Sequence, residues 1–297
     1  MHSPRRIRPS CCRRWPRQSE AAPVTASTAD SLIAATPLPR TEARRLLEHV
    51  SGQRREWLLA HGDEPLAPLV SERFLTLQDR RVKGEPLSYL CGEREFYGLS
   101  LRVNRAVLIP RPETELLVDA ACELAPRHAT VLDLGTGSGA IAIAIALTRP
   151  DLRVVATDRS SDALAVATEN AARHGLAASR LRFLAGSWWQ ALAHADRFEI
   201  IVANPPYIAD ADPHLAEGDL RFEPRSALAS GSDGLDALRE IASGALAHLV
   251  TSGRLIAEHG WDQGAAVRTL FLHAGLQDVH TQPDLAGRER LTFGRAT

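Results

Sequence analysis

Residues 131–139 read VLDLGTGSG, and residues 140–147 continue as AIAIAIAL. Residues 131–134 predict a buried strand that ends at Leu134. The three glycines that follow predict a turn whose backbone closely approaches a ligand, because glycine has no Cβ and tolerates positive φ. The alanines and isoleucines predict a helix whose free N-terminal N–H groups point at the same ligand. A strand, a glycine turn and a helix in this order predict an α/β domain with a ligand at the turn.

The spacing of the glycines distinguishes between kinds of nucleotide loop. A phosphate-binding P-loop requires GK[ST] after the glycines, and a dinucleotide loop reads GxGxxG. Here the loop reads GxGxG and continues with Ala140–Ile141. This spacing favours S-adenosylmethionine over NAD. The predicted cofactor-binding residues of the loop are Gly135, Thr136, Gly137, Ser138 and Gly139.

An acidic residue ends the next predicted strand. Asp158 closes the segment VVATD and lies nineteen residues beyond Gly139. A carboxylate about 20 residues after a glycine loop is placed to accept hydrogen bonds from both ribose hydroxyls of a nucleoside. We therefore predict that Asp158 binds the ribose of the cofactor.

A pair of tryptophans follows the third predicted strand, in the segment Gly186–Trp189 (GSWW). Trp188 is predicted to flank the adenine ring of the cofactor. Packing in the core explains a tryptophan at this position equally well. The adjacent Trp189 leaves open which of the two rings faces the cofactor.

The segment Asn204-Pro205-Pro206-Tyr207 follows the apolar residues IIVA and predicts the chemistry of the site. An amide or aromatic amine is a poor nucleophile because its lone pair is delocalised, as the peptide rotation barrier of about 18–20 kcal/mol shows. Attack on a methyl sulfonium requires that lone pair to turn out of the plane. Two acceptors that hold both N–H bonds of the target NH2 direct the lone pair at the methyl and stabilise the developing positive charge.

Each residue of this segment has a predicted role. The side-chain oxygen of Asn204 and the carbonyl of Pro205 accept the two N–H bonds of the target. Pro205 and Pro206 fix the backbone and remove competing donors. Tyr207 offers a flat face on which a planar target group stacks. Asn204, Pro205 and Tyr207 are the predicted catalytic residues, and all four residues are predicted to bind the substrate.

From Ala129 onward the apolar pattern alternates between strands and helices. Helices are predicted between several strands, for example over Ser161–His174 and Gly234–Leu249. Such alternation predicts a mostly parallel, doubly wound sheet with helices on both faces. The last two strands have no helix between them and are predicted to form an antiparallel hairpin at one edge. The seven predicted strands are Thr130–Leu134, Arg153–Asp158, Leu181–Leu184, Ile200–Ala203, Arg254–His259, Asp278–Gln282 and Arg290–Phe293.

The chain is predicted to have four parts. Residues 1–29 begin with an Arg-rich, acid-poor segment, which is typical of a mitochondrial transit peptide or, the interpretation we favour, of an upstream start codon or a disordered tail. Residues 30–93 carry apolar positions at helical spacing, punctuated by Pro and Gly, and predict a small all-α bundle. Residues 94–107 predict a hairpin or connector, and residues 108–297 form the α/β domain.

Composition excludes several classes of protein. The 297 residues are 44% hydrophobic and 24% charged, as in a globular chain with a sizeable core. The longest apolar run, residues 140–147, is far shorter than the roughly 20 residues of a membrane helix. A net charge of -1 gives no general attraction to nucleic acid. The histidines show no HxH or HExxH spacing, so no metal is expected. The cysteines show no CxxC pair and favour a reducing, cytoplasmic location.

Several segments occur in an order that resembles the HemK/PrmC-type family, the glutamine methyltransferases of peptide chain release factors. The resemblance covers about residues 30–295. It implies a seven-stranded, Rossmann-like (class I) S-adenosylmethionine-dependent methyltransferase domain behind a small helical substrate-binding domain. The segments are Ile109–Glu115 (IPRPETE), Val131–Gly139, Asp158, Gly186–Trp189, Asn204–Ile208 (NPPYI) and Phe222–Leu228 (FEPRSAL), and Gly84–Leu99 resembles the family's connector between domains.

The resemblance also implies an activity, a partner and binding residues. The family transfers a methyl group from S-adenosyl-L-methionine to the side-chain amide nitrogen (N5) of the glutamine in the GGQ motif of class 1 release factors. The helical domain is implied to help grip the release factor. The implied cofactor contacts are Gly135–Gly139, Asp158, Trp188 and Asn204, and the implied glutamine site is Asn204, Pro205, Pro206 and Tyr207.

Further residues are implied to support the cleft. Arg111, Glu113 and Thr114 would lie near its cofactor end. Glu223 would support the wall that follows the NPPY segment.

Other functions compete with this interpretation. NPPY also occurs in methyltransferases of DNA adenine and rRNA guanine, whose amines pose the same lone-pair problem, and a sister subfamily modifies a ribosomal-protein glutamine. A base-flipping enzyme would need a basic groove, which the charge balance does not favour. A non-catalytic cofactor-binding protein is disfavoured because Asn204 and Tyr207 are present. We therefore predict a release factor methyltransferase that needs no metal, membrane or stable nucleic-acid partner.

Overall fold

The computed structural model describes residues 27–297 of the chain. Residues 1–26, which hold most of the predicted Arg-rich tail, lie outside the described residues. The boundaries of the four predicted parts remain predictions.

Five short helices at the start of the described chain pack around one apolar cluster. Leu46, Leu47 and Phe74 are fully buried at its centre. The first helix begins with a capping box between Thr28 and Ser31, which satisfies backbone N–H groups that the helix leaves unpaired. The helices are α1 (Ala29–Ala35), α2 (Arg40–Ser51), α3 (Arg55–Ala60), α4 (Pro68–Val82) and α5 (Leu87–Cys91).

A two-stranded hairpin follows these helices. Strands β1 (Glu93–Phe96) and β2 (Leu99–Arg102) pair antiparallel. The two residues between them, Tyr97 and Gly98, have φ values of 52° and 73°. Positive φ at both positions is the conformation that suits a two-residue hairpin.

The rest of the chain forms one seven-stranded mixed sheet with helices on both faces. Its strands run in the order β5-β4-β3-β6-β7-β9-β8, where β3 to β7 are parallel and β9 is antiparallel to both its neighbours. The predicted seven strands and edge hairpin are confirmed. The elements are α6 (Glu115–Leu124), β3 (Thr130–Leu134), α7 (Ala140–Thr148), β4 (Arg153–Asp158), α8 (Ser161–Arg173), β5 (Leu181–Ala185), β6 (Phe198–Ala203), α9 (Asp236–His248), β7 (Leu249–Glu258), α10 (Gly264–His273), β8 (Gln277–Pro283) and β9 (Glu289–Arg295).

The core lies on both faces of the sheet. Along β6, Ile200 and Val202 face the cluster formed with α6, α7 and α8, whereas Ile201 and Ala203 face α9 and α10. This alternation follows from the two-residue period of a strand. Helix α7 is apolar, and its residues 140–146 are buried on every side, as their composition predicts. No helix within residues 27–297 has the length and apolar character to cross a membrane.

Half of the predicted strand ends differ from the structure by one or two residues, and the start of β7 differs by five. Strand β7 begins at Leu249, directly after α9, rather than at Arg254. The pairing register with β6 shifts between Phe198 and Ile200, so the intervening β7 residues form a bulge. Ser252 has a φ of 64° within this bulge. The sequence of this segment therefore indicates a turn, although the strand continues through it.

Candidate active site

A cavity of about 470 Å³ opens at the carboxyl ends of β3, β4 and β6. Here β3 has β4 on one side and β6 on the other, which is the switch point where open α/β sheets bind ligands. The volume is within the range of about 300–1,000 Å³ for small-molecule sites. The predicted site residues that line the cavity are Gly135, Thr136, Gly137, Ser138, Asp158, Trp188, Asn204 and Pro206. The predicted site residues outside the lining are Gly139, Pro205 and Tyr207.

The glycine loop is held against β4 by its own backbone. The N–H groups of Gly135 and Thr136 both donate to the carbonyl of Thr157, each at 2.9 Å. Gly135 and Gly137 have φ values of 76° and 57°, in the left-handed region that favours glycine. A Cβ on Gly135 would lie 3.1 Å from Cζ3 of Trp188. The loop thus presents backbone to the cavity where a side chain would not fit.

Gly139 has a different structural role from Gly135 and Gly137. Its φ is 82°, and a Cβ there would lie 2.9 Å from Cδ1 of Ile143 and 3.1 Å from Cβ of Ala167. Ala167 belongs to α8, so Gly139 allows the start of α7 to pack closely against that helix. This explains its place outside the cavity lining.

The loop rests on a buried carboxyl group. Asp133 is fully buried, and its Oδ2 accepts a 2.6 Å hydrogen bond from the hydroxyl of Thr136. Among the described residues its Oδ1 has no hydrogen-bond partner. Burial raises the pKa of Asp133 to about 7, against the opposing effect of Thr136.

Asp158 joins the glycine loop to the start of α8. Its Oδ2 accepts the N–H of Gly137, and its Oδ1 accepts the N–H of Ser160, each at 2.9 Å. Each carboxylate oxygen keeps acceptor capacity for one more donor. Asp158 faces the cavity and can still accept two hydroxyl groups, so ribose binding remains a prediction that its geometry allows.

The structure separates the two tryptophans. Trp188 lines the cavity beside Gly135. Trp189 faces elsewhere: its indole N–H donates to the carbonyl of Glu240 at 3.0 Å, and its ring stacks on His248 at a centroid distance of 5.2 Å. Of the two rings, Trp188 is the one that a ligand in the cavity can contact.

Behind Asn204 lies a group of buried polar side chains. The Nδ2 of Asn204 donates to Oγ1 of Thr114 at 3.0 Å. The hydroxyl of Tyr207 donates to Oε1 of Glu258 at 3.4 Å, and Tyr207 does not line the cavity. Burial raises the pKa of Glu258 to about 7, and burial beside Glu258 raises the pKa of Tyr207 above its usual value.

An ion pair joins the segments before and after the NPPY residues. Arg111 donates to Oε1 of Glu223 at 2.5 Å, and the backbone N–H of Ile109 donates to Oε2 at 3.1 Å. The Glu223 side chain has no exposed surface. Burial raises the pKa of Glu223, while Arg111 opposes this shift. Arg111 and Glu113 do not line the cavity, whereas Thr114 does.

The chain matches proteins of known family over nearly its whole length. Residues 25–92 match the PrmC N-terminal domain, and residues 112–220 match the methyltransferase small domain. The release factor glutamine methyltransferase of Bordetella pertussis is 53% identical over 89% of this chain and 97% of its own length. That of Escherichia coli is 45% identical over 89% of this chain and 95% of its own. This chain belongs to the release factor glutamine methyltransferase family. The predicted resemblance is confirmed.

Solved structures of other methyltransferases share the fold of this family member. A methyltransferase from Pyrococcus furiosus matches with a TM-score of 0.52 and 15% identity, over 74% of this chain and 98% of that one. A T. thermophilus 16S rRNA N2 G1207 methyltransferase matches with a TM-score of 0.53 and 18% identity, over 69% and 50%. At such identities the likeness concerns the fold alone. The predicted α/β class I methyltransferase fold is confirmed.

Two polar residues at or near the site were not predicted from the sequence. Glu258 ends β7 at the same sheet edge as Asn204, and an acid at the end of the apolar run LIAE was the available signal. Asn170 lies in the last turn of α8 and donates to the carbonyls of Ser138 and Arg102, at 2.9 and 3.0 Å. Nothing in the local sequence signals that role. Within residues 27–297 no cluster of His, Cys, Asp or Glu suits a metal ion.

Proposed function

We propose that this protein transfers a methyl group from S-adenosyl-L-methionine to the side-chain amide nitrogen (N5) of the GGQ glutamine of class 1 release factors. One observation carries the proposal. Asn204, directly after β6, lies on the wall of the same cavity that the glycine loop lines. Relatives at 53% and 45% identity, named for glutamine methylation of release factors, support the substrate.

The residues of the cavity fit this cofactor. The loop of Gly135 and Gly137 has no side chain to fill the space beside Trp188. Asp158 keeps acceptor capacity for two hydroxyl groups, and Trp188 offers an aromatic face. These residues would hold the nucleoside. When bound, S-adenosyl-L-methionine supplies an electrophilic methyl group on a sulfonium centre.

Asn204 and Pro205 prepare the glutamine amide for methylation. Because Nδ2 of Asn204 donates to Thr114, its Oδ1 is the atom free to accept an N–H of the substrate. The Pro205 carbonyl accepts the second N–H. These two bonds turn the nitrogen lone pair out of conjugation and stabilise the positive charge that develops on nitrogen. The methylated nitrogen is a strong acid and releases its proton to water, so no strong base is needed.

A nucleic-acid amine is the less favoured substrate. The relatives matched over 89% of this chain are named for protein glutamine, and the net charge of -1 offers no general attraction to phosphate. A cytoplasmic location, without a membrane or a metal, belongs to the same proposal because release factors act on ribosomes.

Mass spectrometry of intact protein and of peptides tests the activity. The full chain is incubated with S-adenosyl-L-methionine and unmodified release factor, with duplex DNA and bulk ribosomal proteins in parallel. We expect one added methyl group on the GGQ glutamine. Methyl transfer to DNA or to a ribosomal protein, with none to the release factor, would overturn the substrate.

Asn204→Ala tests the mechanism. Loss of a preorganised polar group should lower turnover by about 10²-fold or more. Gln277→Ala is the matched control, since it removes an exposed carboxamide from the edge strand β8. Equal turnover in both variants would contradict the role of Asn204.

A further inference from the structure

Gln263, the residue directly before α10, contacts three backbone segments through its side chain. Its Nε2 donates to the carbonyl of Tyr207, and its Oε1 accepts the N–H of Gly260, each at 2.9 Å. The same Nε2 lies 3.5 Å from the carbonyl oxygen of Asp233. The mechanism proposed above gives Gln263 no role. One carboxamide thus joins the NPPY segment, the loop before α9 and the turn after β7.

The backbone partners fix the orientation of this carboxamide. A backbone carbonyl can only accept a hydrogen bond, and a backbone N–H can only donate one. Nε2 must therefore face Tyr207 and Oε1 must face Gly260, because the opposite orientation would place donor against donor and acceptor against acceptor. Gly234 leaves room for the contact, since a Cβ there would overlap the Tyr207 carbonyl and lie 2.9 Å from Nε2 of Gln263. The contact thus requires a carboxamide at residue 263 and a glycine at residue 234.

The NPPY segment depends on contacts at its ends. Pro205 and Pro206 have no N–H, and among the described residues no hydrogen bond reaches the backbone of either one. After them, Ile208 is bonded through both its N–H and its carbonyl to residues 228–230, each at 2.9 Å. The bond from Gln263 lies between, and it is the first that fixes the backbone after the prolines. The carbonyl of Pro205 is left free to accept a hydrogen bond from a substrate.

The direction of the Pro205 carbonyl matters for the reaction, because in the proposed function it accepts one N–H of the target glutamine. The proline rings fix φ at both positions, so few torsions remain between this carbonyl and that of Tyr207. A displacement of the Tyr207 carbonyl therefore also displaces the carbonyl of Pro205. We propose that Gln263 is a positioning residue, which holds the Tyr207 carbonyl and thereby directs the Pro205 carbonyl at the target amide. This inference rests on the proposed function.

Gln263→Glu tests this role with a nearly isosteric change. The new oxygen repels the Tyr207 carbonyl, while the other oxygen still accepts the Gly260 N–H, and a negative charge before α10 suits the helix N-terminus. We expect kcat to fall by about 10-fold or more, because a misplaced acceptor loses the productive geometry. The KM for release factor and the calorimetric affinity for S-adenosyl-L-methionine should change little. Gln277→Glu, the same change on the edge strand β8, should keep full kcat. Full kcat in Gln263→Glu would overturn the inference.

Two alanine variants disturb the same contact from its other side and separate it from backbone strain. Gly234 and Gly287 both have a φ of 77°, but a Cβ on Gly287 would have no atom within 4 Å. Alanine is therefore strained alike at both positions, and only Gly234→Ala pushes the Tyr207 carbonyl away from Gln263. Gly234→Ala should lower kcat as Gln263→Glu does, whereas folded Gly287→Ala should keep full kcat. Equal losses of kcat in the two alanine variants would overturn the inference.

Selective labelling observes the Tyr207 carbonyl without catalysis. Of the three tyrosines in the chain, only Tyr207 precedes an isoleucine, so carbonyl-¹³C tyrosine with ¹⁵N isoleucine labels one peptide bond. Gln263→Glu should shift this carbonyl signal because it removes the hydrogen bond, and Gln277→Glu should leave the signal in place. An unshifted signal in Gln263→Glu would overturn the inference. If the wild type does not methylate release factor, the proposed function fails, whereas full kcat in Gln263→Glu beside an active wild type refutes the positioning role alone.

Discussion

At the scale of single residues, two glycines of the same loop differ in the space that a side chain would find there. Gly137 has a φ of 57°, and a Cβ added there would have no atom within 4 Å. Gly139 has a φ of 82°, and a Cβ there would meet Ile143 and Ala167 within 3.1 Å. Left-handed backbone is strained for any other residue at both positions, but only Gly139 also meets a packed neighbour.

Alanine variants of these two glycines should differ in stability. Gly137→Ala should lower the free energy of unfolding by about 1 kcal/mol, the cost of a left-handed alanine. Gly139→Ala should lower it by about 2–4 kcal/mol, because overpacking against α8 adds to the strain. Urea unfolding of the protein without ligand measures both. Equal losses would show that α7 and α8 move apart freely.

Residues of the cavity differ in how well the sequence predicted them. The glycine loop, Asp158 and Asn204 are local motifs, and apart from Gly139 all of them line the cavity. The roles assigned to them stay predictions. Asn170 and Glu258 join the site through contacts across 32 and 51 residues, to Ser138 and Tyr207. Such pairs depend on tertiary packing, which no local pattern encodes.

At the scale of elements, the Arg111–Glu223 ion pair joins two loops 112 residues apart. Glu223 is buried, so its charge depends on Arg111 for compensation. Arg111→Ala should lower the free energy of unfolding at pH 8 by about 2–3 kcal/mol, since Arg111 itself is partly exposed. Thermal or urea unfolding measures the loss.

The double variant Arg111→Met with Glu223→Gln is the control for this pair. It removes both charges, and the glutamine oxygen can still accept the Ile109 N–H. It should be more stable than Arg111→Ala, because no uncompensated charge stays buried. If the double variant is less stable than Arg111→Ala, the attraction within the ion pair contributes more to the free energy of unfolding than the cost of a buried, unpaired carboxylate.

Elements were easier to predict than their ends and their exposed faces. The central strands β3, β4 and β6 show apolar runs because both faces are covered, and all seven strands were found. The start of β7 was missed because a bulge looks like a turn in sequence. In the helical domain, Leu59 and Leu69 follow the helical period, yet they are 58% and 55% exposed. Periodicity alone does not show which apolar residues the neighbouring helices cover.

At the scale of the whole molecule, the helical domain contacts the loop that follows the NPPY segment. Arg81 of α4 lies 3.4 Å from Asp219, and it also binds Glu42 of α2 at 2.7 Å. Arg221 donates to the carbonyl of Lys83 at 2.6 Å. The chain between Tyr207 and Glu223 therefore runs from the cavity to the helical domain and back. This path links the proposed substrate-gripping domain to the proposed catalytic segment.

Two buried acids make the stability of the whole molecule depend on pH. The pKa values of Asp133 and Glu258 are both raised by burial to about 7. At these two groups the folded state binds more protons than the unfolded state between about pH 4 and 7, so their contribution to the free energy of unfolding falls as the pH rises through this window. His49 and His259, whose pKa values burial lowers, act in the opposite direction. Comparison of a variant with the wild type cancels their contribution.

Glu258→Gln should therefore gain stability relative to the wild type as the pH rises from 5 to 8. Near pH 5 the wild-type carboxyl is already neutral, and by pH 8 it must ionise within the protein, a difference of order 3 kcal/mol at about 1.4 kcal/mol per pKa unit. Asp133→Asn should likewise gain stability relative to the wild type as the pH rises from 5 to 8. Urea unfolding at both pH values measures the difference, and parallel pH dependence in variant and wild type would contradict it.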